Sequence, residues 1–285
     1  MSLAYLGTSE FAVGVMAALE PDLVVTRPDR AKGRGRQVSP PPLAVAAKER
    51  GLELAQPADV HELDLSAYDD VVVCAFGAMI KEPLLSHPGL INVHPSLLPR
   101  WRGAAPIERA IMAGDAETGV CIMRMVAELD AGPVCLVERI AIAEDDTYGS
   151  VSERLQPVAA SLLARWLAER PECRDQPGEG MTYAEKIGAA DRGLDATAGA
   201  VSNARVVRAL APHIGAKAGD LGVWEAAVAS DPVAAGELWV VEGRLLWGCA
   251  EGSLELFEVQ PPGKRRMPAA DYARGLPSTA EGRVR

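Results

Sequence analysis

The stretch GLINVHPSLLPRWRGAAPIERA (residues 89–110) decides how the chain is read. Its first part is a short apolar run with the length and β-branched content of a strand. In a strand, residues i and i+2 face the same side, so Asn92 and His94 project together while Val93 packs the opposite way. A loop follows with Pro95 and Pro99 and with arginines at alternate positions, Arg100 and Arg102. Pro106 then opens a short helix that ends at Gly114. Core packing alone gives no reason for an amide and an imidazole at the end of such a strand.

Outward from this stretch, strands and helical patterns alternate. LAYLG reads as a strand, SEFAVGVMAALE as a helix capped by Thr8 or Ser9, and DLVVT as a second strand. PLAVAAKERG is a helix ending at Gly51. DVVVCAF is a continuous apolar run, as expected of a central strand covered on both faces. GVCIMRMV and GPVCLVERIAI read as paired strands, and TYGSVSERLQPVAASLLARWLAER as one long amphipathic helix that Pro157 is expected to disturb. The pattern predicts an α/β class with a Rossmann-like parallel sheet over residues 1–170. PECRDQPGEG has no apolar period and reads as part of a linker over 171–182. Residues 183–285 hold a short helix and then short β-runs with tight turns, VEGR and AEGS, which predicts a small C-terminal β-barrel, OB-like.

With 48% hydrophobic and 24% charged residues in 285, a sizeable packed core is expected. No apolar run approaches the roughly 20 residues that span a membrane, and the start of the chain lacks a secretion signal. A cytoplasmic location without membrane partners is the expectation. Cys74, Cys121, Cys135, Cys173 and Cys249 are odd in number, widely spaced and without a C-x-x-C pair. That predicts reduced thiols, no disulfide and no metal site. The net charge of −10 argues against indiscriminate nucleic-acid binding. Against that background RPDRAKGRGR (27–36), RWR (100–102) and KRR (264–266) stand out, either as solvated loops or as contacts to a polyanion.

The carboxyl ends of parallel strands are where open α/β sheets place ligands. There an amide donor beside an imidazole suits a carbonyl whose oxygen gains negative charge, with the imidazolium as proton donor. ELDAGP supplies Asp130 as a third group to orient the ring. The same residues also read as a strand-end cap and a turn aspartate, and on spacing alone both readings stand. No G-x-S-x-G or Walker loop competes, and Gly33–Gly35 lacks the strand–helix context of a dinucleotide site.

NVHPSLLPRWRGAAPI resembles the signature of the folate-dependent formyltransferases, and its RGAAPI form resembles the branch acting on methionyl-tRNA. LGTSEFA, RPDRAKGRGR, AETGVCIMRMVAELDAGP and AEDDTYGS are similar to further segments of the family. TYAEKI, VWEA and VQPPGKRRM resemble the C-terminal domain of the tRNA-directed branch. The resemblance implies that Asn92, His94 and Asp130 are the catalytic trio. The donor would be 10-formyltetrahydrofolate, used as co-substrate without a metal, and the acceptor the α-amine of initiator methionyl-tRNA. Asn92 and protonated His94 would stabilise the oxyanion, and Asp130 would hold His94 charged. It also implies a folate pocket lined by Phe76, Gly77, Ala78, Met79 and Ile80, by Ser96, Leu97, Leu98 and Pro99, and by Glu144, Asp145 and Asp146. Arg34 and Arg36 would meet the acceptor end of the tRNA, and Lys264, Arg265 and Arg266 its phosphates, in a monomer. Two alternatives remain at this point: formyl transfer to an amino-sugar nucleotide, and a non-catalytic folate- or RNA-binding module.

Overall fold

The computed structural model describes residues 2–32, 37–277 and 284. The chain divides into two compact units. The first comprises Met1–Pro106, Glu117–Ala141 and Ser152–Glu185; the second comprises Ile107–Ala116, Ile142–Val151 and Lys186–Arg285.

In the first unit a seven-stranded sheet is built from β1 (Leu3–Gly7), β2 (Leu23–Val25), β3 (Leu54–Ala55), β4 (Asp70–Cys74), β5 (Leu90–His94), β6 (Glu117–Arg124) and β7 (Val134–Ala141). Its order is β7-β6-β5-β4-β1-β2-β3. The strands β1 to β5 pair in parallel, and β6 and β7 continue the sheet antiparallel, as the paired runs predicted. From β1 the chain first works outward through β2 and β3, then returns to β4 on the other side of β1. That reversal creates a switch point between the carboxyl ends of β1 and β4. Every residue of β1, β4 and β5 is buried, and each enclosed Val, Leu or Ile side chain contributes about 1.5–3 kcal/mol.

Local signals set the helices. In α1 (Glu10–Met16) Ser9 is the cap, accepting from the Ala12 N–H. The helix stops at Met16, short of the expected Glu20: the Leu19 N–H closes on the Met16 carbonyl, and Pro21 disfavours a helical conformation at Glu20. The helix α2 (Pro42–Glu49) starts on proline and is followed by Gly51 at φ +69°. After α3 (Pro106–Ala113), α4 (Tyr148–Glu169) runs through Pro157 as one element. Proline forfeits one backbone bond there, while Leu155, Ala159, Leu163 and Trp166 stay buried and hold the helix through packing.

In the second unit α5 (Ala200–Leu210) precedes an antiparallel sheet of β8 (Ala216–Ala218), β9 (Leu221–Ala229), β10 (Leu238–Val241), β11 (Arg244–Gly248), β12 (Ser253–Gln260) and β13 (Met267–Pro268), and α6 (Ala269–Arg274) follows. The path is β8-β9-β12-β11-β10, with β13 on β12. Register shifts between Val223 and Ala226 mark a bulge in β9, which bends and curls the sheet. VEGR forms the predicted tight hairpin: Val241 pairs with Arg244 across Glu242 and Gly243, both at positive φ.

The cysteines need a correction. Cys135 and Cys173 form a disulfide across 38 residues, whereas Cys74, Cys121 and Cys249 are free and buried. Val134 and Arg174 exchange both backbone hydrogen bonds, 2.8 and 2.9 Å. The next residues along, Cys135 and Cys173, are therefore a non-hydrogen-bonded antiparallel pair, where side chains come closest. Cys173 and Arg174, inside the stretch 171–182 expected as a linker, thus lie beside Cys135 and Val134 of β7. Non-reducing peptide mapping should recover the Cys135–Cys173 link, and Cys173→Ser should lose about 2–4 kcal/mol in urea unfolding.

Candidate active site

The parallel register sets Asn92 beside Val73 and Cys74 beside Val93, so the loop leaving β4 emerges next to the end of β5. Asn92 and His94 are buried there, at 9% and 4% exposure. The carboxylate of Asp130 reaches them from the turn between β6 and β7. The Asn92 Nδ2 donates to Asp130 Oδ1 at 3.3 Å, the Gly103 N–H donates to Oδ2 at 2.8 Å, and His94 Nδ1 lies 3.7 Å from Oδ2. The structure therefore brings together the three residues singled out from sequence, and adds Gly103.

The loop after β5 completes the frame. His94 Nε2 is 2.9 Å from the Trp101 carbonyl oxygen. A carbonyl only accepts, so Nε2 carries the proton, and Nδ1 is the nitrogen turned toward Asp130. In the neutral ring Nδ1 would set a lone pair against the carboxylate; in the imidazolium it presents an N–H. Trp101 has φ +64° and Gly103 φ +123°, conformations that aim this carbonyl and the Gly103 N–H at the two side chains. A β-carbon on Gly103 would lie 2.6 Å from the Ala184 carbonyl oxygen, so only glycine fits. The loop is held by Trp101 N–H to Thr182 Oγ1, by Arg102 N–H to the Thr182 carbonyl, and by a short parallel pairing of Arg102–Gly103 with Tyr183–Ala184.

Of the predicted folate-pocket residues, Phe76 and Ile80 are buried, while Gly77, Ala78 and Met79 are exposed. The loop is pinned by Thr8 Oγ1 donating to the Phe76 carbonyl at 2.7 Å and by Arg27 donating to the Gly77 carbonyl. It borders the switch point between β1 and β4. Ser96 is fully buried and spends its hydroxyl on the Arg100 carbonyl, which shapes the loop holding Leu97, Leu98 and Pro99. Glu144, Asp145 and Asp146 belong to the second unit. Glu144 and Asp145 are exposed, but Asp146 is buried and accepts from the Ala143 N–H and the Ser150 hydroxyl at the start of α4.

Arg34 and Arg36 lie outside the described residues. Lys264, Arg265 and Arg266 sit exposed on the loop after β12. The Arg266 guanidinium covers the Trp224 ring and donates to the Pro212 carbonyl. Among the described residues no group of three or more His, Cys, Asp or Glu could hold a metal, and no helix is long and apolar enough to cross a membrane. Residues missed from sequence are Gly103, whose signal was the RWRG turn, and the carbonyl of Trp101, which leaves none.

Cys121 is the β6 partner of His94. Burial pushes its thiol up to about 11 and that of Cys74 up to about 12. Neither is a thiolate nucleophile at neutral pH. Above pH ~9 the unfolded chain releases these protons and the folded chain keeps them. Stability therefore falls as pH rises, by up to about 1.4 kcal/mol per pH unit for each thiol. Melting curves between about pH 8.5 and 10.5 should show that slope, and Cys74→Ala with Cys121→Ala should flatten it.

Against known proteins, the Formyl transferase model matches residues 17–167, and the model for the Formyl transferase, C-terminal domain matches 186–277. The methionyl-tRNA formyltransferase of Paracoccus denitrificans (strain Pd 1222) is 40% identical over 97% of this chain and 98% of its own length. That of Methylococcus capsulatus (strain ATCC 33009 / NCIMB 11132 / Bath) is 41% identical over 95% and 96%. Among solved structures, the sugar 3N-formyl transferase WlaRD, in the presence of dTDP and 5-N-formyl-THF, aligns with TM-score 0.69 over 93% of this chain and 99% of its own, at 14% identity. That likeness speaks for the fold.

Proposed function

The chain belongs to the formyl transferase family, and from that premise we propose how its residues move a formyl group from a folate donor to the α-amine of initiator methionyl-tRNA. It is a one-carbon transferase of protein synthesis, whose full-length relatives at about 40% identity are methionyl-tRNA formyltransferases. The site assignment is carried by one observation: Asn92, Gly103 and His94, from two segments, converge on the single carboxylate of Asp130. We take residues 1–170 as the catalytic part and 183–285 as the tRNA-binding part.

The donor is 10-formyltetrahydrofolate, which when bound supplies the formyl carbon and leaves as an amine. The residues present suit a flat heteroaromatic ligand. Exposed backbone at Gly77, Ala78 and Met79 offers donors and acceptors, and the exposed Met79 side chain offers an apolar cover. Leu97, Leu98 and Pro99 supply a wall. No step calls for a metal.

The attacking α-amine must be neutral. As it attacks, the Asn92 amide donates to the formyl oxygen, where negative charge develops in a site too dry to screen it. His94, held through Nε2 by the Trp101 carbonyl, gives a proton from Nδ1 toward the departing nitrogen. Asp130, which faces His94 Nδ1, takes up the proton of the amine, directly or through water. Arg34 and Arg36 meet the acceptor end of the tRNA, while Lys264, Arg265 and Arg266 contact phosphates, which position without specifying. An acceptor that is charged tRNA puts the activity in the cytoplasm, and the protein works as a monomer. An amino-sugar acceptor would use the same trio but has no need of the GRGR and GKRRM segments.

His94→Ala should lower kcat about 10²- to 10⁴-fold with the melting temperature preserved; a variant with parental kcat would remove His94 from the mechanism. Arg34→Ala should raise KM for tRNA far more than KM for the folate, as steady-state kinetics with each substrate varied would reveal. Equal changes would exclude the basic loop from tRNA recognition.

A further inference from the structure

Residues 171–184 do more than connect. Near their start, Arg174 pairs with Val134 and Cys173 is bonded to Cys135. At their end, Thr182, Tyr183 and Ala184 hold residues 101–104. Between these anchors lies Gln176, partly buried. Its Nε2 donates to the Asp130 carbonyl at 2.7 Å and to the Gly132 carbonyl at 2.9 Å. Its Oε1 accepts from Arg102 Nε at 3.0 Å and Nη2 at 2.8 Å. Both amide protons and the carbonyl oxygen are thereby engaged, and every partner belongs to a segment that forms the candidate active site.

These bonds close a circuit. Gln176 holds the backbone of Asp130; the carboxylate of Asp130 accepts from Gly103; and Arg102, next to Gly103, returns to Gln176. Arg102 is buried and donates also to Glu128, at the start of the same turn. Asp130 has φ +46°, a left-handed conformation that an L residue leaves unless its surroundings fix it. Leaving it would swing the carboxylate away from Asn92, Gly103 and His94.

We propose that Gln176 is a positioning residue for formyl transfer, acting through Asp130 by fixing the turn that carries it. The proposal rests on the reading of Asp130 as a catalytic group. Glutamine is suited to the place because the two carbonyls require a donor while Arg102 requires an acceptor. A carboxylate would satisfy Arg102 and turn lone pairs on both carbonyls, and an aliphatic side chain would satisfy neither.

The test is the kinetics of Gln176→Leu, Asp130→Asn and the double variant, each checked for an unchanged melting transition. Gln176→Leu should lower kcat about 10- to 100-fold and leave KM for both substrates within about twofold. In the Asp130→Asn background the same change should cost less than about a further twofold, since residues acting as one unit are not additive. Gln176→Glu, of the same shape and with the Arg102 contact kept, should fall as far as Gln176→Leu, and it carries the comparison if the leucine variant does not fold. Parental kcat in a folded Gln176 variant, beside a crippled Asp130→Asn, would overturn this inference alone. So would losses that multiply in the double variant. Parental kcat in Asp130→Asn would overturn the reading of the site and the inference with it.

Discussion

One partly buried carboxylate organises the site. Asp130 draws a side-chain amide from β5, a backbone N–H from the loop beyond it, and the imidazole of His94. A carboxylate with so little access to water is tolerable only when donors surround it. That requirement constrains three pieces of chain at once: the register of β5, the positive-φ turn at Trp101–Gly103 and the left-handed turn at Asp130. Glycine at 103 is the point of least freedom, because a β-carbon there would collide with the Ala184 carbonyl.

The sheet explains why these pieces meet. The parallel register of β4 and β5 aligns their carboxyl ends, and the return of the chain past β1 leaves a crevice beside them. The loop from Phe76 to Ile80 borders that crevice, with Phe76 and Ile80 anchoring it in the core and Gly77, Ala78 and Met79 on the surface. A strand thus holds Asn92 and His94, and a turn brings Asp130 to them.

Much of this could be read from sequence, for identifiable reasons. Period-two alternation in LINVH put Asn92 and His94 on one side, and continuous apolar runs marked the central strands. Asp130 was visible as a turn residue and as a third group to orient the imidazole, and the family resemblance set it in a catalytic trio. Gln176 was not visible, because it lies in a stretch without apolar period and its partners are 44 to 74 residues away. The disulfide was missed for the same reason: spacing cannot pair cysteines, and only the antiparallel contact of Val134 with Arg174 brings Cys135 to Cys173. The helix α1 ends at Met16, five residues before Pro21, a boundary that apolar periodicity overlooks.

The chain is acidic, at net −10, and on the proposed reading it meets a polyanionic substrate through local basic clusters while Asp130 and its donors carry the chemistry. The most direct measurement is formyl transfer by the purified protein from 10-formyltetrahydrofolate, with initiator methionyl-tRNA, elongator methionyl-tRNA and a 4-amino-sugar nucleotide offered in parallel. Rapid turnover of the initiator tRNA, with little of the other two, is the predicted result. Turnover confined to the sugar nucleotide, or none in a folded sample, would contradict the account.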